Sequence, residues 1–196
     1  MRVLLSTYGS RGDVEPMAAL GAQLQALGAE ARVCAPPDQE FVELLARAGV
    51  QLVPAFSSVR EWIAMAKQSA MKLPQLAAVM IAAQYDVLRS AAEGCDAIVA
   101  TGLLPSAAAA QCVAEEFDIR YVHLTFCPLF LPPHHHRPYP YPGHPLPPHV
   151  TDPPALWELN AQAINALFGE AVNGHRASIG LPRVDSVRDQ VFTDKR

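Results

Sequence analysis

A chain of 196 residues that is 51% hydrophobic and 17% charged has enough apolar surface for one well-packed domain and too much for a disordered segment. Its 19 acidic and 15 basic residues give a formal charge of −4 with no lysine/arginine run, which argues against a nucleic-acid partner. Leu76 to Ala83 and Ala97 to Ala110, the longest apolar stretches, fall short of the roughly 20 residues of a membrane helix, and the amino terminus lacks the make-up of a signal peptide. The expectation is a cytoplasmic protein with no membrane span.

Arg2 to Thr7 reads as a strand, and Tyr8 to Glu15 then turns to glycine and polar residues before Pro16 opens a helical pattern. A loop at the carboxyl end of a strand borders the crevice where open α/β sheets bind ligands, which makes Ser10, Arg11 and Asp13 candidates for chemistry. Gly9 and Gly12 are expected to supply positive φ or close backbone approach. The loop is neither G-x-G-x-x-G nor G-x-x-x-x-G-K-[ST], so dinucleotide or Walker-type binding is not supported.

Met17, Leu20, Leu24 and Leu27 continue at helical spacing up to Gly28. Glu30 to Ala35 is a second strand, Asp38 caps a helix that Gly49 ends, and Val50 to Val53 extends again. This βαβαβ order implies parallel strands joined by right-handed crossovers. Two helices follow, the longer started by Pro74 with Leu73, Leu76, Met80, Ala83, Val87 and Ala91 as its apolar stripe. Met65, Met71 and Met80 are read as core filling in preference to an adaptable pocket. Asp96 to Thr101 forms a strand, Pro105 starts an alanine-rich helix running to about Phe117, and Arg120 to Phe126 forms the fifth strand, with His123 packed inside it. Cys34, Cys95, Cys112 and Cys127 form no C-x-x-C pair and read as free buried thiols.

Residues 128–154 are dense in proline and carry His134, His135, His136, Tyr139, Tyr141, His144 and His149. No helix or central strand persists there. Adjacent histidines diverge in extended chain and no acidic or cysteine ligand is suitably spaced, so no metal is expected. The segment reads equally as a solvent-exposed connector or as a stiff loop touching a bulky small molecule. Asp152-Pro153-Pro154 then restarts a helix with Trp157, Ile164, Phe168 and Ala171 in register until Asn173-Gly174, after which the chain runs to a charged end.

The loop Ser10 to Pro16, Cys34 to Asp38 after the second strand, Glu93 to Asp96 through Thr101-Gly102-Leu103, and the tract Trp157, Glu158, Asn160, Asn173, His175, Arg176 and Ile179 to Pro182 together resemble the N-terminal half of GT-B-fold glycosyltransferases of the family 1/28 type, those of glycopeptide antibiotics and related natural products. The resemblance covers essentially the whole chain. It implies one Rossmann-like doubly wound parallel sheet over residues 1–196 that binds the acceptor, while a second Rossmann-like domain, absent from this sequence, holds most of the nucleotide-diphosphate sugar.

Family chemistry is inverting transfer, and Asp13 matches the position of the base that takes the acceptor's proton. The resemblance places Gly9, Ser10, Arg11 and Gly12 toward the donor diphosphate. Thr101, Gly102, Phe126, Phe130, His134, Tyr139 and Tyr141 become candidates for binding a hydrophobic, hydroxylated small-molecule acceptor. No cofactor is implied. Related plant enzymes carry a histidine in the first loop, and none lies between Thr7 and Pro16 here. A structural role for Asp13, as cap of a helix entered at Pro16, and a non-enzymatic reading, a helper domain that binds the small molecule without transfer, stay open beside these expectations.

Overall fold

The structure, a computed structural model, describes residues 1–127 and 136–193. In chain order these form β1 (Arg2–Tyr8), α1 (Arg11–Ala26), β2 (Glu30–Ala35), α2 (Gln39–Ala48), β3 (Gln51–Pro54), α3 (Val59–Gln68), α4 (Leu73–Ala91), β4 (Ala97–Gly102), α5 (Leu104–Glu116), β5 (Arg120–His123), α6 (Pro153–Ser178) and α7 (Val187–Phe192). The five strands pair in parallel in the order β3-β2-β1-β4-β5.

Alternation along the strands makes two cores. Val3 and Leu5 of β1 with Val33 and Ala35 of β2 meet Val14, Met17, Phe41 and Leu45 of α1 and α2 on one face. Leu4, Tyr8, Cys34, Ile98 and Tyr121 turn to the other face, under α4, α5, α6 and α7. Both faces of a parallel sheet are thereby covered, as near-continuous apolar strands require. From β1 the winding runs through β2 to β3 on one side and through β4 to β5 on the other, so β1 and β4 flank the switch point.

Several sequence expectations shift. The first helix begins at Arg11, with Pro16 inside it. Ser10 is the extended N-cap, and the Asp13 carboxylate returns to the Ser10 N–H at 2.7 Å, a capping box that outweighs proline's preference for the first turn. Asp38 does precede α2, yet its carboxylate accepts from Val59 N–H at 2.7 Å and so ties down the start of α3. The buried face of α4 is Ala77, Met80, Ile81, Gln84, Tyr85, Leu88 and Ala91, which leaves Leu73 exposed and Val87 half-buried. β5 stops at His123, and Thr125 Oγ1 then bonds the Cys127 carbonyl in a turn.

The expected stop at Asn173-Gly174 is absent, because the Asn173 side chain is a tertiary clamp that accepts from Val184 N–H at 2.8 Å and donates to the Val184 carbonyl at 3.0 Å. α6 runs on to Ser178 and is closed by Gly180 beyond its C-cap, at φ +79°, with Leu181 N–H on the Arg176 carbonyl. The return segment then forms α7, for which the sequence had offered only a charged end. Arg176, 1% exposed, forks onto Glu115 at 2.9 and 3.0 Å and also reaches Gln111 and the Pro182 carbonyl.

Candidate functional site

A cavity of about 450 Å³ opens at the carboxyl edge of the sheet, at the β1/β4 switch point. The N-cap Ser10 and the first turn of α1, with Gly12 and Asp13, contribute one side, and the end of β4, with Thr101 and Gly102, and the first residues of α5 another. β5 and the turn after it add His123 to Cys127. The walls are apolar: Trp62 of α3, Leu73, Leu76 and Met80 of α4, Phe168 of α6 and Phe192 of α7.

Asp13 is the carboxylate of this cavity among the described residues. Its Oδ2 accepts from the Ser10 amide at 2.7 Å and faces the Ser10 hydroxyl at 3.2 Å, so one oxygen orients the group while the other is left to accept a proton. A Cβ on Gly9 would lie 2.2 Å from Oδ2, which explains glycine there by close approach. Neither Gly9 nor Gly12 uses the positive φ that glycine permits, and a Cβ on Gly12 would meet only Ser10 Oγ, at 3.6 Å.

Gly102 is the glycine that the geometry demands. It sits at φ +91°, and a Cβ would fall 2.6 Å from the Tyr8 carbonyl oxygen, an atom fixed by the Leu103 N–H. Gly102→Ala is expected to destabilise the domain by about 2 kcal/mol or more, through strain and a backbone clash together, read as a lower urea midpoint.

Tyr8, fully buried at the end of β1, stacks on Phe56 at 5.3 Å, and Phe56 meets Trp62 edge-on at 5.3 Å. Burial pushes the Tyr8 phenol up to about 12, so it stays neutral while its hydroxyl bonds Ser57 and Ser58. This stack carries Trp62 to the cavity from a helix that has no buried residue of its own.

Of the sequence candidates, Ser10, Gly12, Asp13, Thr101, Gly102, Phe126 and Tyr141 line the cavity. Gly9 lies behind the Asp13 carboxylate, and Arg11 turns its guanidinium to Glu15 at 2.9 Å along the exposed side of α1. Tyr139 is 69% exposed and away from the lining, its carbonyl taking a bond from Asn160. Phe130 and His134 lie outside the described residues. Tyr141 packs edge-on against Phe168, and burial raises its phenol. The sequence missed Trp62, Leu73, Leu76, Phe168, His123 and Phe192 as lining, and Met80, read as core filling, both packs in the core and faces the cavity. Among the described residues no cluster of histidine, cysteine or acidic side chains could hold a metal ion.

No protein-family model matches the chain. It is 43% identical over 196 residues to glycosyltransferase GtfE of Amycolatopsis orientalis, covering 99% of this chain and 47% of that protein. The vancomycin aglycone glucosyltransferase of the same organism is likewise 43% identical, over 195 residues, with the same coverage. The chain thus spans about half the length of the curated relatives it matches. Among solved structures, the Streptomyces sp. SF2575 glycosyltransferase SsfS6 complexed with thymidine diphosphate superposes with a TM-score of 0.56 at 17% identity, covering 92% of this chain and 46% of that one. The calicheamicin glycosyltransferase CalG4 gives 0.54 at 15% identity, over 85% of this chain and 42% of that one.

Proposed function

Because the chain belongs to the glycopeptide-antibiotic glycosyltransferases, with the α/β fold of GT-B enzymes, we propose that it is the acceptor-binding half of an inverting glycosyltransferase that moves a hexose from a UDP or dTDP sugar to a hydroxyl of a natural product. The observation that carries this reading is a carboxylate, Asp13, held by Ser10 at the edge of a largely apolar cavity at the switch point of the sheet. The apolar walls take up the body of the acceptor and bring one hydroxyl to Asp13. Asp13 accepts the hydroxyl proton, the oxygen bonds to the anomeric carbon from the face opposite the leaving group, and the carbon–oxygen bond to the nucleoside diphosphate breaks. Charge gathers on the departing diphosphate, where the exposed amides at the start of α1 and the Ser10 hydroxyl can receive it. Base and ribose recognition is assigned to the second half of such a protein.

Residues 1–196 alone are expected to fold, to bind nucleotide-sugar weakly and to transfer none of it. Joined to the donor-binding half of the vancomycin aglycone glucosyltransferase and given a panel of aglycones with UDP- or dTDP-glucose, they are expected to yield a product heavier by one hexose. Transfer by the isolated chain, a low-micromolar dissociation constant for the nucleotide-sugar, or no product from any aglycone with the joined protein would count against this assignment.

A further inference from the structure

His123 reads from sequence as a packed strand residue, yet its imidazole lines the cavity that holds Asp13. The register fixes the relation of the two. His123 pairs with Ala100, which pairs with Ser6, whereas the segment leading into α1 and Asp13 starts two residues higher, after Tyr8. Two strand spacings of ~4.8 Å sideways and two residues of ~3.3 Å along the strand separate the His123 backbone from the end of β1 by about 12 Å. Asp13 therefore stands at the upper edge of the cavity and His123 near its floor.

The imidazole is also held in place. Its ring lies 4.7 Å from that of Phe192, and α7, which carries Phe192, is fastened by the Tyr121 hydroxyl on the Val191 carbonyl at 2.8 Å and by Val187 N–H on Asn165 at 2.9 Å. A strand end and a docked helix give a ring position far better defined than a loop would. The other ionisable groups among the described lining residues are Asp13, Cys127 and Tyr141, so His123 is the imidazole of an otherwise mostly apolar chamber.

We propose that His123 is a specificity residue that hydrogen-bonds a second polar group of the acceptor, at the end remote from the hydroxyl that reacts. The cavity then selects molecules with an apolar body and polar groups at both ends, spaced roughly 10 Å apart, the order of the backbone separation between β5 and the end of β1. This rests on the reading of the cavity as the acceptor site. It makes His123 a positioning residue: Asp13 handles the proton, and His123 decides which hydroxyl arrives there.

The test uses residues 1–196, calorimetry, and two rigid probes of the same body, 4,4′-dihydroxybiphenyl and 4-hydroxybiphenyl. The wild-type chain is expected to prefer the diol by about tenfold, the worth of one net hydrogen bond, beyond the statistical factor that its symmetry gives. His123→Ala is expected to abolish that preference with little change in affinity for the mono-ol and with the same far-UV circular dichroism as the wild-type chain. His123→Gln, which keeps a donor and an acceptor, is expected to restore part of it. A preference retained in His123→Ala, or equal weakening of both probes, overturns the role of His123 while leaving the cavity as the binding site. Failure of the wild-type chain to bind either probe overturns the acceptor reading along with it.

Discussion

Asp13→Asn in the assembled enzyme is expected to lower kcat by at least about a hundredfold while leaving acceptor affinity almost unchanged. General-base catalysis is worth roughly 10²–10⁴ in rate, about 3–5 kcal/mol, and that contribution is lost when the proton acceptor becomes an amide. The shape of the site is preserved, because an asparagine oxygen can take the place of Oδ2 on the Ser10 N–H, now at 2.7 Å. A contact that matters only in the transition state changes kcat and not binding. The competing role is the one the fold displays, the reciprocal cap at the start of α1. That role alone predicts that asparagine is tolerated in both stability and rate, whereas alanine costs about 1 kcal/mol of stability. A kcat for Asp13→Asn within about threefold of wild type, at saturating donor and acceptor, removes Asp13 as the base.

The largest effect on stability is expected at Arg176, which is not among the residues lining the cavity. Methionine there fills the volume of the stem but deserts Glu115, Gln111 and the Pro182 carbonyl at once. Breaking a buried charged fork from one side costs on the order of 3 kcal/mol, and the 30% exposure of the Glu115 side chain keeps the figure from rising further. The expected readout is a lower urea midpoint with an unchanged slope. Lysine, which keeps the charge but not the planar fork, is expected to recover only part of the loss. A change below about 1 kcal/mol for Arg176→Met would show that the return segment after α6 is held by Asn173 and α7 without it.

The sheet was legible because its strands are short apolar runs separated by helical periods, and the loop after β1 stood out as the place where that pattern breaks. Asp13 was therefore singled out as a candidate, but its position in the helix was misplaced, since Pro16 is a strong start signal and a capping box of Ser10 with Asp13 is a weaker one. The cavity walls were not legible. Leu73, Leu76 and Met80 belong to one apolar stripe, and whether a stripe residue meets a neighbouring helix or an open space depends on how three distant elements pack. α7 was missed because six residues make fewer than two turns, too few to define a period. His123 looked like any residue of a buried strand, and only the register of β5 against β4 lifts it to the cavity floor.

α5 and α3 stand at opposite ends of the scale of local opening. Every residue of α5 from Leu104 to Ala114 is buried, so its amides can meet solvent only when the domain as a whole comes apart. α3 has no buried residue and is held by its own cap, by the Asp38 carboxylate on Val59, by the Tyr8 hydroxyl on the Ser58 carbonyl, by Arg60 toward Asp38 and Glu40 and by the ring of Trp62, so it is expected to open more readily than α5. The floor and the Trp62 wall of one cavity thus belong to different cooperative units. If the cavity takes an acceptor as proposed, ligands of different girth are expected to displace Trp62 without loosening β5, which carries His123, or the capped start of α1, which carries Asp13.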